Sequence, residues 1–580
     1  MNWTFSVAFT RFLITAITIL IFQQSYAQVP PKKTNFGPPM VIPLILSGNF
    51  GELRTNHFHT GLDIKTQGRI GKKIIAIDDG YISRINISHW GYGKAIYVTH
   101  ENGYTSVHAH LSGFPKYVEE FLRKAQYNEK TETIELYPGP EQLPVKKGDL
   151  IAYSGNSGSS GGPHLHFEIR ETETERPVNP LLYGFNIKDS KKPILKNIKF
   201  YPLKDGWVNG SDVAKMYSLT GSGGKYSLKN NPTIEVDGEF GVGIHTVDVL
   251  DAAGNQCGVY NIKLELDGKV IFEQEINKLD FYTNRYINTH RDYLEGRLNK
   301  RSLHKSFMSQ NNKLDNYKQL VNDGKIKLRD GNVHGLKYTI KDAYGNTSTL
   351  DFRVKSNPKM AKVSKKPAAS GDDIWVEKDN AIEKTDFKAY LPAETVYNDL
   401  KAEYKHSQFR KSASELHSFH NDHTPVHHYF IMKIKTKGVA KNMEDKALIV
   451  EMSKDRHKAF AKGGSYKNGW VETRVRSFGD YTVKIDSVAP KITPVNISEG
   501  KVITGQKSIQ WKVSDNLSGI DDYDVYIDDE WVLAKHVPKK GTLTVKFDAY
   551  TKITKGNHKI KVVMQDERKN VSEAVYNVVR

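Results

Sequence analysis

The stretch GNSGSSGGPHLHFEI, Gly155 to Ile169, joins a glycine- and serine-rich loop to an alternating pattern of apolar and polar residues. The second half decides the fold. Successive side chains of a strand point to opposite faces, so His164, His166 and Glu168 share one face while Leu165, Phe167 and Ile169 share the other. The pattern predicts a half-buried strand with two imidazoles side by side, a pairing that suits either a metal ion or acid–base work. The first half does not read as a phosphate cradle, which would end in Gly-Lys-Ser/Thr. Here Gly162 runs into Pro163 and His164, with no lysine in the loop, and proline lacks the N–H that a cradle would use. The glycines predict a loop that turns tightly and comes close to its neighbours before the strand begins.

Short β-branched and aromatic segments lie upstream: Gly80–Ile87, Lys94–His100, Tyr104–Leu111 and Asp149–Gly155, separated by Gly and Asn. His-Glu-Asn-Gly-Tyr between two of them signals a hairpin. Only Tyr117–Lys130 has helical spacing, and it reads as an insertion. Further histidines fall at regular places. His57–Ile64 (HFHTGLDI) sets His59 and Asp63 four apart, with Gly61 between them to permit a bend, and Val107–Leu111 (VHAHL) carries His108 and His110. A zinc site that keeps one position open needs three protein ligands, commonly His and carboxylate. His59, Asp63 and one histidine of the His164/His166 pair meet that requirement in type and number.

FGELRTNHFHTGLDI, VHAHL and VKKGDLIAYSGNSGSSGGPHLHFEI, in that order, resemble the lysostaphin/LytM-type zinc metallopeptidases that cut peptidoglycan peptides. The resemblance covers about 140 residues, roughly a quarter of the chain, and rests on His-x-Gly-x-Asp, then His-Leu at a strand end, then a Gly-rich loop and His-x-His. It implies a small antiparallel β-sheet peptidase domain, Zn2+ held by His59, Asp63 and His166, and His110 and His164 as the catalytic histidines. His108 stands where the family usually has tyrosine; His110 is assigned the catalytic role because it directly precedes Leu111. No His-Glu-x-x-His occurs, so a histidine replaces the glutamate base of other zinc peptidases. Glu168 and His108 are the candidates for outer partners of the metal-bound imidazoles; Glu168 reads equally as a solvent-facing strand glutamate.

A chain of 580 residues exceeds one core and predicts several domains. With 38% apolar and 26% charged residues it is globular rather than disordered. Lys and Arg outnumber Asp and Glu by 84 to 66, a formal charge of +18, which favours polyanions such as the acidic polymers of a cell envelope. The basic residues are scattered, so no nucleic-acid patch is expected. Arg11, the apolar run Phe12–Phe22 and the small residues before Gln28 read as a secretory signal peptide over residues 1–27, with no transmembrane span after its removal. Cys257 is the only cysteine and excludes an intrachain disulfide, which fits a bacterial periplasmic or envelope protein better than a eukaryotic secreted one.

The expected architecture is all-β: a linker over 28–41, the peptidase domain over 42–187, then several β-sandwich (Ig-like) domains. These are a sandwich over 188–355 with a partly helical insertion about 282–321, a linker over 356–373, a sandwich-like block over 374–487 and a terminal Ig-like block over 488–580. LDAAGNQ, KDAYGNTS and QDERKN form a weak internal repeat of Asp-led turns. Asp515–Asp524 lacks the full calcium-loop pattern and reads as a turn. Glu415–Phe430 holds five histidines without a framework of fixed spacing, and reads as a solvated loop. The expected function is zinc-dependent cleavage of peptidoglycan cross-links on the D-alanyl side, with the sandwiches positioned on the wall, on an envelope protein, or across the enzyme's own groove. The rivals are a non-catalytic wall-binding or activator protein and an adhesion scaffold; retention of every ligand position and both histidines favours the enzyme.

Overall fold

The computed structural model describes residues 34–366, 370–551 and 553–580; the expected signal peptide lies outside them. Among the described residues no helix is long and apolar enough to cross a membrane. The fold is all-β. In the first block, strands β1 (Leu46–Gly48), β2 (Leu62–Lys65), β3 (Lys73–Ile75), β4 (Gly80–Ile87), β5 (Lys94–His100) and β6 (Tyr104–Ala109) precede helix α1 (Lys116–Glu129). β7 (Ile134–Leu136), β8 (Pro144–Val145), β9 (Leu150–Tyr153), β10 (His164–Glu171) and β11 (Pro177–Val178) follow it. The main sheet runs in the order β1-β2-β10-β6-β5-β4-β7, with β3 and β9 forming a separate ribbon.

Alternation along β10 explains its central place. Leu165, Phe167 and Ile169 are fully buried, so one face seals the core and the polar face is left for His164, His166, Glu168 and Arg170. Residues 34–41 are not a free linker: the Phe36 ring packs on Tyr183 and Phe185, and Met40 is buried in the core. In α1, Val118 and Leu122 are buried one turn apart.

The core of residues 42–187 does not close within its own block. Leu250, Cys257, Ile276, Leu279, Tyr286, Ile287, Leu314 and Tyr397 belong to the same buried cluster as Leu62, Ile64 and Phe167. Tyr286, Ile287 and Leu314 come from the partly helical insertion and Ile276 and Leu279 from the segment just before it; Ile276 presses onto Gly51 in the loop between β1 and β2.

The block over 188–355 departs from the expected pair of separate sheets. Its 14-residue strand Ile234–Val247 pairs antiparallel with Ile194–Pro202 and parallel with Thr347–Ser356. Those partners connect back through Lys215–Ser222 and Lys225–Leu228, so the pairing closes on itself. A strand that long spans two partners, and closure leaves fewer open edges. The linker expected over 356–373 is partly docked: Val363 bridges to Ser211, and Lys362 pairs with Asp237 at 2.6 Å. Residues 380–485 form two five-stranded sheets, and 491–579 a four- and a five-stranded sheet.

The last block folds back onto the first. Tyr523 Oη and the His536 N–H donate to Glu132, each at 2.6 Å. Tyr127 of α1 packs against Trp531 and Tyr550. Lys539 Nζ donates to the carbonyls of Asn156 and Ser160, at 2.5 and 3.0 Å. The helix that read as an insertion is a docking platform.

Candidate active site

Antiparallel pairing of β10 with β2 sets His166 opposite Asp63, and directly opposed residues share a face. His59 enters from the loop ahead of β2. His166 Nδ1 lies 3.0 Å from His59 Nε2 and 3.0 Å from Asp63 Oδ1, and the His59 Nε2 to Asp63 Oδ1 distance is 3.1 Å. Gly61 is required by crowding rather than by a bend: a Cβ there would sit 2.8 Å from Glu168 Cγ and 3.1 Å from His166 Cε1.

The remaining nitrogen of each ring is already used. His59 Nδ1–H donates to the Asn49 carbonyl at 2.7 Å, and His166 Nε2–H donates to Glu168 Oε1 at 2.8 Å. In those tautomers the lone pairs of His59 Nε2 and His166 Nδ1 converge with a carboxylate oxygen, three acceptors facing one point. Such a centre demands positive charge. The separations suit three ligands about 2.0–2.1 Å from a shared ion, so the residues present fit zinc. The electrostatics agree. Burial lowers His166, but Asp63 and Glu168 outweigh it and raise the ring to about 9. Burial drives His59 down to about 4. Burial works against the Asp63 carboxylate, yet His59, His164 and His166 hold it well below its usual range.

Glu168 is fully buried, not solvent-facing. Besides His166 it accepts from Thr60 Oγ1 at 2.6 Å and Tyr92 Oη at 2.5 Å, and its Oε2 accepts from Arg170 Nε at 2.7 Å. Burial opposes its charge, but Arg170 and then His166 keep the carboxyl ionised. Glu168→Gln therefore leaves the buried Arg170 guanidinium with only the exposed Glu175 carboxylate, 3.9 Å away, as a counter-charge. The expected cost is about 3–5 kcal/mol in thermal or urea unfolding, with zinc affinity about 10–100-fold weaker in chelator competition.

His110 and His164 form a second pair, their ring centroids 4.8 Å apart. His110 lies just past the end of β6, and its φ of 59° turns the ring onto the His166 face. The Gly-rich loop orients both rings. His110 Nδ1–H donates to the Ser157 carbonyl at 3.0 Å, and His164 Nδ1–H to the Gly162 carbonyl at 2.8 Å. Each ring then presents an Nε2 without a hydrogen, that of His164 lying 3.4 Å from Asp63 Oδ1. Burial, with His166 and His164 nearby, lowers His110 to about 3, so the ring is neutral. The loop reaches this place because Gly155 lacks a side chain: a Cβ would sit 2.6 Å from the His110 carbonyl.

His108 does not join the site. It is paired with Phe167 in register, packs against that ring at 5.3 Å with the planes tilted by 46°, and leaves Nδ1 without a partner among the described residues. Strand alternation places it opposite the His166 face, so the expectation of an outer partner is corrected. The five-histidine segment is also not a plain solvated loop: His417 and His427 are buried, and His427 stacks on Tyr286 at 4.1 Å. Sequence reasoning missed Arg54, whose Nη2 donates to Asp63 Oδ2 at 2.6 Å, together with Asn49, Tyr92 and Arg170. Of these only Arg170 was legible, as the next polar position along β10.

The sequence model of peptidase family M23 matches residues 57–127 and 140–180. Residues 57–180 are an M23 peptidase domain. The chain is 33% identical over 129 residues to the DD-carboxypeptidase/endopeptidase Mpg of Neisseria meningitidis serogroup B, 22% of this chain and 23% of that protein. It is 33% identical over 123 residues to an uncharacterized metalloprotease of Haemophilus influenzae, 21% of this chain and 20% of that protein. The chain thus spans about a quarter or less of the curated relatives it matches. Among solved structures, the catalytic domain of the antimicrobial peptidase lysostaphin from Staphylococcus simulans is 22% identical, over 24% of this chain and 93% of that one, with a TM-score of 0.19. Outside the M23 domain, the model of a Zu5-like domain matches residues 374–486.

Proposed function

We propose that this chain is a zinc-dependent endopeptidase of the bacterial cell envelope that hydrolyses peptide cross-links of peptidoglycan. The observation that carries this reading is the convergence of His59, Asp63 and His166 beside two further imidazoles with free Nε2 atoms. When bound, zinc supplies a Lewis acid for the scissile carbonyl and lowers the pKa of a water to about 7. His59, Asp63 and His166 would hold the ion, with Arg54 neutralising the outer oxygen of Asp63 and Glu168 fixing the His166 ring. His110 or His164 accepts the proton of the attacking water at Nε2. Once protonated, that ring donates to the developing oxyanion and then to the leaving amine. Likeness to a DD-carboxypeptidase/endopeptidase favours a bond on the D-alanyl side. The formal charge of +18 suits an acidic envelope polymer.

The test is mass spectrometry of muropeptides after purified peptidoglycan is incubated with the zinc-loaded full chain. Loss of cross-linked species is expected. His110→Ala should keep its zinc while kcat/KM falls about 10²–10⁴-fold. Unchanged muropeptides with the wild-type chain would overturn the enzyme in favour of wall binding.

A further inference from the structure

Two blocks of this chain repeat an arrangement of three aspartates that peptide hydrolysis does not use. Asp189 stands in Asp-Ser-Lys-Lys-Pro ahead of the strand Ile194–Pro202, and Asp486 in Asp-Ser-Val-Ala-Pro ahead of Lys491–Pro494. Asp248 and Asp515 each follow directly on the strand paired with that first one, Ile234–Val247 and Ser508–Ser514. Asp342 and Asp566 stand at the turn of the last hairpin of each block. An asparagine clamps both trios alike. Asn346 Nδ2 donates to Asp342 Oδ2 at 2.7 Å and to the Asp189 carbonyl at 3.3 Å; Asn570 Nδ2 donates to Asp566 Oδ2 at 2.7 Å and to the Asp486 carbonyl at 3.0 Å. Within each trio one oxygen from every carboxylate lies within 4.8 Å of the others.

Hydrogen bonding leaves these carboxylates unfinished. Asp248 is 1% exposed, yet its Oδ1 has no partner among the described residues, and Asp189 Oδ2 has none either. Asp515 Oδ1 and Ser518 Oγ are orphaned in the second trio. Among the described residues no lysine or arginine forms an ion pair with a carboxylate of either trio: Lys191 Nζ donates to the Leu250 carbonyl and Arg568 Nη1 to the Gly464 carbonyl, and the Lys191 charge only partly offsets the crowding at Asp248. Buried carboxylates without a paired counter-charge are strongly unfavourable. Burial, then Asp189 and Asp342, push Asp248 up to about 8, a crowding that a cation would relieve.

We propose that Asp189, Asp248 and Asp342, and separately Asp486, Asp515 and Asp566, each bind a divalent cation of the Ca2+ class. A donor set of oxygen alone selects a hard ion over zinc. Both sites lie at seams. Asp189 follows Ile187 of the peptidase core, and Leu250 and Cys257, close to Asp248, belong to that core. Asp486 follows the last strand of the preceding block, Gly479–Ile485. Each ion thereby fastens a block to the one before it.

The test uses the full chain stripped of metal, with CaCl2 as the probe, in equilibrium dialysis with radioactive calcium and in scanning calorimetry. Two Ca2+ per chain are expected, one in Asp248→Asn, one in Asp515→Asn and none in the double variant. Asp63→Asn should retain both, which separates these sites from the peptidase centre. At about a hundredfold excess over Kd the wild-type melting temperature should rise by ~5 °C or more, with no rise in the double variant. Without metal, the double variant should melt no lower than wild type, because like-charge crowding has been removed. Absence of Ca2+ binding, unchanged stoichiometry in both single variants, or a metal-free double variant that melts well below wild type would each overturn the proposal.

Discussion

His166→Ala should emerge from zinc-supplemented expression without bound zinc, and should leave peptidoglycan undigested. His166 Nδ1 is one of three acceptors that face a single point, 3.0 Å from each of the other two. Its loss leaves two protein ligands where three are needed for a zinc site with one open position. Glu168, fully buried, loses a hydrogen-bond donor at the same time. Removing an outer partner alone typically weakens metal binding about 10–100-fold; removing the ligand itself should exceed that, with activity down more than ~10³-fold. Elemental analysis for zinc and mass spectrometry of muropeptides read the two effects separately. His164→Ala supplies the contrast: metal retained, activity down about 10²–10⁴-fold. Stoichiometric zinc in His166→Ala would sink the ligand assignment, and equal digestion would sink its part in catalysis.

A chain ending at Ile187 should be insoluble or unfolded, even though it holds every residue of the peptidase site. Leu250, Cys257, Ile276, Leu279, Tyr286, Ile287, Leu314 and Tyr397 complete the core of the block they would leave. Burying one large apolar side chain is worth about 1.5–3 kcal/mol, so even half of that sum rivals the whole stability of a domain, about 5–15 kcal/mol. The loss falls on the loop that carries His59. Asn284 Oδ1 accepts from the Phe58 N–H at 2.6 Å and its Nδ2 donates to the Phe58 carbonyl at 3.2 Å. Asn49, whose carbonyl holds His59, is itself tied to the backbone of Gly258 at 2.7 and 2.8 Å. Circular dichroism and gel filtration of residues 28–187 beside 28–580 check this. A monomeric, cooperatively melting fragment of 28–187 would show that the shared core is dispensable.

Alternation was enough to put His164, His166 and Glu168 on one face and to bury Leu165 and Phe167, because the strand period depends only on neighbouring residues. The same rule misled at Val107–Leu111. It would place His108 and His110 on one face, but β6 ends at Ala109 and the left-handed backbone at His110 turns that ring alone toward the site. Glu168 was open between two readings since alternation fixes a side, not what covers it; Tyr92, Arg170 and Thr60 cover it completely.

Local spacing by itself determined the all-β class and the close-packed role of the glycines before β10, and it offered His59, Asp63 and one histidine of the His164/His166 pair as ligands, a choice that only the resemblance narrowed to His166. Only the tertiary structure decided that the Ser157 and Gly162 carbonyls set the tautomers of His110 and His164, that Arg54 holds Asp63, and that the peptidase core extends to Tyr397. It alone gathered Asp189, Asp248 and Asp342, and Asp486, Asp515 and Asp566. Asp515 read as a turn because its cluster mates come from other strands. Periodicity reports the environment along one strand, whereas these partners meet through pairing and packing between segments far apart in the chain, where no repeat in the residues marks the contact.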